Sequence, residues 1–204
     1  ISGDGVNFSA GANLNLILNA ADRKEWDLID RMTKTMQDTF QSLRFAPFPV
    51  VAAPFGFVLG GGYEICGSCD RIVAASESYI GLVEVGMGII PGAGGNLRML
   101  NNVSDSVKTM MPGSFPVVQK VFETVGFGRV ATSAKEAKKL SYLRKDDRFV
   151  MNRSDLLYEA KKEVLNMAEG YKKPEVREFK LPGASGRLVV DSTIKGFVKS
   201  KKIT

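Results

Sequence analysis

Short apolar stretches alternate with amphipathic ones through the first half of the sequence. Residues 49–53 (PVVAA) and 71–75 (RIVAA) predict buried strands, and residues 79–83 predict a third, shorter one. Between the first two strands, a triple-glycine turn at residues 60–62 precedes a predicted helix over residues 63–69. This order of strand, helix and strand predicts an α/β layer structure with right-handed crossovers.

A long amphipathic helix is predicted ahead of the first strand. Apolar residues recur at helical spacing over residues 26–43, and Pro47 ends the pattern. Asp22 and Glu25 have the spacing of a capping box, so this helix is expected to begin beside them. Residues 6–18 begin like a strand and pass into a tight loop of small residues.

The second half of the sequence predicts helices followed by a loop-rich tail. Residues 115–125 are amphipathic, and Ser133 with Glu136 has the spacing of a helix cap. A long helix is predicted over about residues 153–169. Residues 187–204 have weak strand character and a basic end, and the sequence gives them no placement.

Composition excludes several classes of chemistry. The 204 residues are 44% hydrophobic and 25% charged, as in one ordinary globular domain. No apolar run approaches the about 20 residues of a membrane span, and no signal peptide is visible, so a cytoplasmic location is expected without membrane association. The absence of histidine excludes Ser-His-Asp and Cys-His catalysis, which leaves proton transfer to carboxylates, tyrosine or lysine.

Charge is distributed unevenly between the two halves. Residues 1–100 carry 7 basic and 10 acidic side chains, whereas residues 101–204 carry 21 and 12. A basic half suggests an anionic partner. Its lysine runs resemble solvated helix faces and are not interleaved with aromatic residues, so a small molecule that bears phosphate is expected and nucleic acid is not.

Cys66 and Cys69 form a C-x-x-C motif, which could serve redox chemistry or simple packing. Both lie in the helix predicted after the glycine turn, where small apolar side chains pack, so packing is the favoured interpretation. A zinc site needs about four ligands, and the chain has no other cysteine and no histidine, so no metal site is predicted.

Two glutamates stand in apolar, glycine-rich surroundings and are the candidate catalytic groups. The turn at residues 60–62 leaves backbone amides free for a phosphate or for a developing oxyanion. Glu64 follows directly, where the helix dipole alone could also favour a carboxylate. Glu84 has no basic residue near it in sequence, so it is either paired with a distant arginine or is a general acid or base with a raised pKa.

Three motifs together resemble the crotonase superfamily. They are FSAGANL at residues 8–14, LGGGYE at residues 59–64, and residues 81–95 with their PGAGG ending. Within the superfamily the sequence is most similar to enoyl-CoA hydratases. The tail KKPEVREFKLPGASG resembles that of hydratase modules fused to a 3-hydroxyacyl-CoA dehydrogenase.

The resemblance implies a spiral of β-β-α turns over residues 1–107 that contains the active site, and a helical region with a loop-rich tail over residues 108–204. The family has a further strand and helix upstream, so the core is expected to be truncated at its N-terminus. It also implies an acyl-CoA substrate, no cofactor except NAD in a fused dehydrogenase domain, and assembly as trimers or hexamers.

The resemblance also assigns roles to individual residues. Glu64 and Glu84 would be catalytic, and the amides of Ala12 and Gly61 would form the oxyanion hole. The expected substrate-binding residues are Ala10, Asn13, Leu14 and Gly92. Hydration of a 2-enoyl-CoA in fatty-acid β-oxidation is the expected activity. The alternatives are a Δ3-Δ2-enoyl-CoA isomerase and a non-catalytic assembly module of a multifunctional β-oxidation protein.

Overall fold

Helices and very short strands make up the molecule, seen here in a computed structural model that describes residues 1–107 and 115–201. In those ranges the chain forms eight α-helices, six strands and two short 3-10 helices. The elements in chain order are α1 (Leu14–Asp22), α2 (Trp26–Arg44), β1 (Val51–Ala52), β2 (Phe57–Leu59), α3 (Gly61–Ser68), β3 (Arg71–Ala75), β4 (Tyr79–Gly81), α4 (Gly95–Val107), α5 (Phe115–Val125), β5 (Val130–Ala131), α6 (Ala134–Lys139), β6 (Arg148–Val150), α7 (Leu156–Ala168) and α8 (Gly183–Lys199).

The first half winds as a strand–strand–helix spiral. β1 pairs in parallel with β3, with Val51 opposite Arg71, and β2 pairs in parallel with β4, with Phe57 opposite Tyr79. In chain order α3 follows β1 and β2, and α4 follows β3 and β4, so each turn of strand, strand and helix brings the chain back beside the previous turn. Because the crossovers are short and the pairing is parallel, the predicted α/β class is confirmed.

The second half completes both sheets. β6 adds in parallel to β3, with Val73 opposite Arg148, and β5 adds antiparallel to β4, with Ile80 opposite Ala131. The two sheets have the orders β1-β3-β6 and β2-β4-β5. The division at residue 107 stays a prediction, and its boundary adjoins residues 108–114, which lie outside the described ranges.

Two buried tyrosines at the centre of the core connect the halves. Tyr63 of α3 packs edge to face on Tyr142 at 4.9 Å, and its hydroxyl donates to the Tyr142 carbonyl oxygen at 3.0 Å. The Tyr142 hydroxyl donates to the Arg129 carbonyl oxygen at 2.7 Å and accepts from the Leu82 amide at 3.2 Å. These bonds fix the end of β4, where the chain leads to Glu84.

Asp22 and Glu25 do not form the predicted capping box. Asp22 is the last residue of α1, a helix that the strand-like reading of residues 6–18 missed. Glu25 precedes α2 but makes no side-chain cap bond; its carboxylate pairs with Arg23 at 3.1 Å. The predicted helix itself is confirmed, because α2 spans Trp26–Arg44.

The weak strand character expected for residues 187–204 is also wrong, because helix α8 covers most of this segment. Val190, Ile194 and Val198 are four residues apart, which is helical spacing, although β-branched residues favour strands locally. Phe197 packs edge to face on Phe127 at 5.2 Å, and this contact with the end of α5 supports the helix. Residues 202–204 lie outside the described ranges.

Other helices of the second half match their predictions. The amphipathic helix has the expected bounds as α5. The Ser133 hydroxyl accepts from the Glu136 amide at 3.2 Å, which is the predicted cap of α6. α7 begins at Leu156, after a 3-10 turn over Arg153–Asp155. Among the described helices, none is both long and apolar enough to cross a bilayer.

Candidate active site

A cavity of about 220 Å³ lies between α1, α2, the start of α3 and the segment after β4. Seven of the eight predicted site residues line it, and the exception is Asn13. Asn13 instead caps α1, since its side-chain oxygen accepts from the Asn15 amide at 3.1 Å. Apart from two glutamates and Thr33, the walls are apolar or glycine; the lining residues are Ala10, Gly11, Ala12, Leu14, Ile17, Ile29, Thr33, Met36, Gly60, Gly61, Glu64, Val83, Glu84, Met87, Ile89, Ile90, Gly92 and Ala93.

Glu64 lies in the first turn of α3 and is only 3% exposed. Its Oε1 accepts from the amides of Ala93 at 2.9 Å and Gly95 at 2.8 Å. Burial raises the pKa of this carboxyl, and the backbone hydrogen bonds oppose that rise because they favour the charged form. The second oxygen, Oε2, lies 4.0 Å from where a Cβ on Gly61 would stand, at the mouth of the glycine turn.

Glu84 begins the 3-10 helix Glu84–Met87 directly after β4. Its Oε2 is buried and has no hydrogen-bond partner among the described residues, and no described lysine or arginine pairs with this carboxyl. Burial raises the pKa of Glu84 to about 7, and the nearby charge of Glu64 contributes to the rise. A carboxyl in this state can hold or release a proton near neutrality.

The two carboxylates face one cavity beside the same glycine turn. Gly60 has a φ of 53°, as a left-handed glycine turn requires, and a Cβ there would stand 3.3 Å from Glu84 Oε1. The next residue, Gly61, stands beside Glu64 Oε2. The electrostatic effect of Glu64 on Glu84 is consistent with their proximity. Both side chains can therefore act on one small ligand.

Two backbone amides adjoin the glutamates. The Ser9 amide donates to the Phe57 carbonyl oxygen at 2.9 Å, and the Leu59 amide donates to the Ser9 carbonyl oxygen at 3.0 Å. These two bonds hold the loop of small residues against β2. A Cβ on Gly61 would lie 4.0 Å from the Ala12 nitrogen, which places these two residues side by side. Neither the Ala12 nor the Gly61 amide has an acceptor among the described residues. Such a pair can bind one ligand oxygen.

One polar contact that supports this site could not be predicted from the sequence. Gln37 on α2 donates from Nε2 to the Gly92 carbonyl oxygen at 2.7 Å. This bond fixes the loop whose next amide, that of Ala93, binds Glu64. A glutamine on an amphipathic helix is ordinary in sequence, and only the fold shows which loop it reaches.

The cysteines pack in the core, as the favoured interpretation predicted. Cys66 on α3 and Cys69 directly after this helix are free and buried, and burial raises the pKa of both thiols, that of Cys69 to about 12. A thiol with a raised pKa holds little reactive thiolate. Over the described ranges, no three acidic, cysteine or histidine side chains are grouped closely enough to hold a metal ion.

The strand–strand–helix spiral is the fold of the crotonase superfamily, and in this chain it places two neighbouring amides and two carboxylates at one cavity. The chain belongs to the enoyl-CoA hydratase/isomerase family, whose model matches residues 1–114.

The chain is similar to individual relatives and to a solved structure, and it spans about a quarter to two thirds of their length. The chain is 38% identical over 189 residues to a probable 3-hydroxyacyl-CoA dehydrogenase of Bacillus subtilis, covering 91% of this chain and 23% of that protein. It is 30% identical over 189 residues to a probable enoyl-CoA hydratase of B. subtilis, covering 88% of this chain and 70% of that protein. A crystal structure of enoyl-CoA hydratase from Bacillus anthracis superposes with a TM-score of 0.65 at 29% identity, covering 83% of this chain and 57% of that one.

Proposed function

We propose that the protein is an enoyl-CoA hydratase that adds water across the 2,3-double bond of a 2-enoyl-CoA thioester in fatty-acid β-oxidation. The observation that carries the proposal is the convergence of Glu64 and Glu84 on one cavity beside the amides of Ala12 and Gly61, which have no acceptor among the described residues. The B. subtilis relatives are named as a probable hydratase of an enoyl-CoA and a probable dehydrogenase of a 3-hydroxyacyl-CoA, and both names support an acyl-CoA thioester as the substrate.

In the proposed mechanism, the amides of Ala12 and Gly61 hold the thioester carbonyl oxygen and stabilise the enolate that forms. One such donor is worth about 3 kcal/mol of transition-state stabilisation. Glu64, held by two amides, takes a proton from water as that water attacks C3. Glu84, whose pKa is about 7, supplies the proton that C2 receives.

The remaining assignments complete the proposal. Ala10, Asn13 and Leu14 contact the CoA portion, and Gly92 lies beside the acyl group. Assembly as a homotrimer or hexamer, a cytoplasmic location and fusion to an NAD-dependent 3-hydroxyacyl-CoA dehydrogenase extend it. The fusion is supported by the dehydrogenase relative, of which this chain matches 23%.

Hydration of crotonyl-CoA by the purified protein tests the proposal, followed as loss of the absorbance of the conjugated enoyl thioester. Glu84→Gln and Glu64→Gln should each lower kcat by about 100-fold or more, because each removes a proton-transfer group. Glu169→Gln, an exposed glutamate outside the cavity, is the matched control and should leave the rate unchanged. Absence of turnover by the intact protein would reject the proposal.

The Glu64 variant also separates hydration from isomerisation on the same scaffold. Moving a double bond needs one carboxylate to carry a proton, whereas hydration needs a second group to activate water. If Glu64→Gln keeps most of its activity on a 3-enoyl-CoA, the enzyme is an isomerase; a large loss of crotonyl-CoA hydration supports the hydratase.

A further inference from the structure

A second cavity, of about 250 Å³, lies where the C-terminal ends of α2 and α3 meet α4. It shares no lining residue with the cavity that contains Glu64 and Glu84. Four arginines line it, and they differ in how their charge is compensated; they are Arg44, Arg98, Arg144 and Arg177.

Arg98 is 6% exposed and has no carboxylate partner among the described residues. Its Nε donates to the Ser68 hydroxyl at 3.4 Å and its Nη2 to the Gln41 side-chain oxygen at 3.3 Å, so both acceptors are neutral and distant. Nη1 has no acceptor within the described ranges. The aliphatic part of the Arg98 side chain is packed, since a Cβ on Gly67 would lie 3.3 Å from its Cβ and Cγ. This packing does not compensate the charge of the guanidinium group.

Arg44 is also poorly compensated. Its guanidinium donates no hydrogen bond to a described residue, and its nearest carboxylate oxygen, Asp70 Oδ1, is 3.9 Å away. The other oxygen of Asp70 already accepts from the Val50 amide and the Tyr171 hydroxyl. Burial, and then the charge of Arg144, lowers the pKa of Arg44; burial, and then the charge of Arg44, lowers that of Arg98 to about 10.

The other charges around the cavity do not supply the missing partner. Arg144 pairs with the fully buried Asp147 at 3.0 Å, and Arg177 pairs with Asp105 at 2.8 Å. Glu175 is exposed and makes no ion pair in the described part of the chain. Two guanidinium groups therefore adjoin one cavity with unused donors and an excess of positive charge.

We propose that this cavity binds a small dianionic oxyanion, phosphate or a phosphate monoester, between Arg44 and Arg98. The buried Arg98 guanidinium has no carboxylate partner among the described residues and carries a large desolvation cost, which a bound dianion would offset. At Arg44, which is partly exposed and lies 3.9 Å from Asp70 Oδ1, the same dianion would accept the unused donors. The planar fork of arginine donors matches the oxygens of a phosphoryl group. The site is independent of the proposed hydratase chemistry, since the two cavities share no residue.

Titration of inorganic phosphate into the purified protein, followed by calorimetry and by the midpoint of thermal unfolding, tests this site. Chloride at matched ionic strength is the reference, and acetate tests whether a carboxylate would serve. Phosphate should bind saturably at one site and raise the unfolding midpoint beyond the chloride reference. Arg44→Gln should weaken phosphate binding by about tenfold, the loss of one or two charged hydrogen bonds.

Variants make the outcome specific. Arg98→Gln should abolish saturable binding and Arg98→Lys should retain part of it, while Arg187→Gln, an exposed arginine on α8, should bind phosphate like the parent. Arg44 is partly exposed at the edge of the cavity, so Arg44→Gln is expected to fold and still tests phosphate binding if Arg98→Gln fails to fold. An equal effect of chloride, equal binding of acetate, or unchanged phosphate affinity in Arg44→Gln would overturn the proposal. Glu84→Gln should bind phosphate as tightly as the parent protein does. The phosphate result is therefore independent of whether the protein hydrates crotonyl-CoA.

Discussion

Glu64 and Glu84 carry the same functional group in two different environments. Glu64 is more buried but accepts two backbone hydrogen bonds, whereas Glu84 is half-buried and has one oxygen without a described partner. Hydrogen bonds that favour the charged form keep a base ionised, and desolvation that outweighs such bonds keeps an acid protonated. The difference in surroundings supports the proposed roles of Glu64 as the base and Glu84 as the acid.

The rate of hydration should therefore fall as the pH rises through about 7. Above its pKa of about 7, Glu84 loses the proton that it must supply, so kcat/KM should drop about tenfold per pH unit. The acidic limb belongs to Glu64, which must be ionised to act as a base and whose pKa is also raised by burial. The profile of kcat/KM for crotonyl-CoA measures both limbs.

A control for this assignment is the Glu84→Gln variant, whose residual rate should lack the alkaline limb. An alkaline limb that persists unchanged in that variant would assign the limb to another group.

The apolar neighbours of Glu84 are visible in the sequence, and the rise in its pKa could be predicted from them. The hydrogen-bond donors to Glu64 could not be predicted, because Ala93 and Gly95 donate from their backbone amides, which almost any residue type would also provide. The role of Asn13 as a helix cap could not be predicted either. Its position in a motif predicts ligand binding, which stays a prediction, and its side chain also caps a helix that the sequence pattern did not predict.

Helix α4 begins against the Glu64 carboxylate, and this contact leaves little room for a side chain at position 95. A Cβ there would stand 2.8 Å from Leu82 Cδ2 and 3.0 Å from Glu64 Oε1. The first distance is shorter than real Cβ contacts and the second is tighter than most, so an added methyl group would displace the Leu82 side chain, the glutamate or the helix start.

Gly95→Ala should consequently lower kcat for hydration by about 100-fold, since small displacements of a catalytic group are costly. It should also lower the free energy of unfolding by about 1–3 kcal/mol through overpacking. Gly86→Ala is the matched control, because no atom lies within 4 Å of its added Cβ and its φ is not positive. Steady-state kinetics with urea unfolding measures both effects; equal activity in the two variants would contradict the role given to Gly95.

Helices α2, α3, α5 and α6 could be predicted from periodicity and caps because their signals are local. α1 was missed because its first residues continue a run of small loop residues, and the predicted capping box at Asp22 placed a helix start where α1 ends. The β-branched residues of α8 have a local preference that opposes the helix, and the contact with α5 is not visible in sequence.

A buried ion pair joins the second half of the chain to the first. Asp147 is 1% exposed; its Oδ1 accepts from the Ile72 amide of β3 at 2.8 Å and its carboxylate binds Arg144. Arg144 in turn donates to the Cys69 carbonyl oxygen at 3.2 Å. Strand β6, which follows Asp147, pairs with β3. The parallel sheet of the spiral therefore depends on a carboxylate from the second half.

Asp147→Asn should lower the free energy of unfolding by about 3 kcal/mol, because the partly buried Arg144 loses its charged partner and the buried side chain at position 147 loses charge-assisted hydrogen bonds. Asp146→Asn, at the neighbouring exposed position, is the control and should change stability by less than about 1 kcal/mol. Urea unfolding followed by circular dichroism gives both values, and similar stabilities of the two variants would refute this role.

The α/β class could be predicted from the alternation of short strands and helices, and the spiral from a resemblance carried by motifs in residues 8–95. The addition of β5 and β6 to the two sheets could not be predicted from the sequence. Each has only two or three residues, and their pairing with β4 and β3 joins residues that are 49–75 positions apart in sequence. Pairing at such separations is set by the packing of the fold and leaves no local pattern.

The central claim is that Glu64 and Glu84 act together on one bound substrate. The most direct test compares crotonyl-CoA hydration by Glu64→Gln, Glu84→Gln and the double variant. Because groups that act in one step are strongly non-additive, the double variant should lose little more activity than the worse single variant. Losses that multiply across the two substitutions would show that the glutamates act independently and would contradict the account.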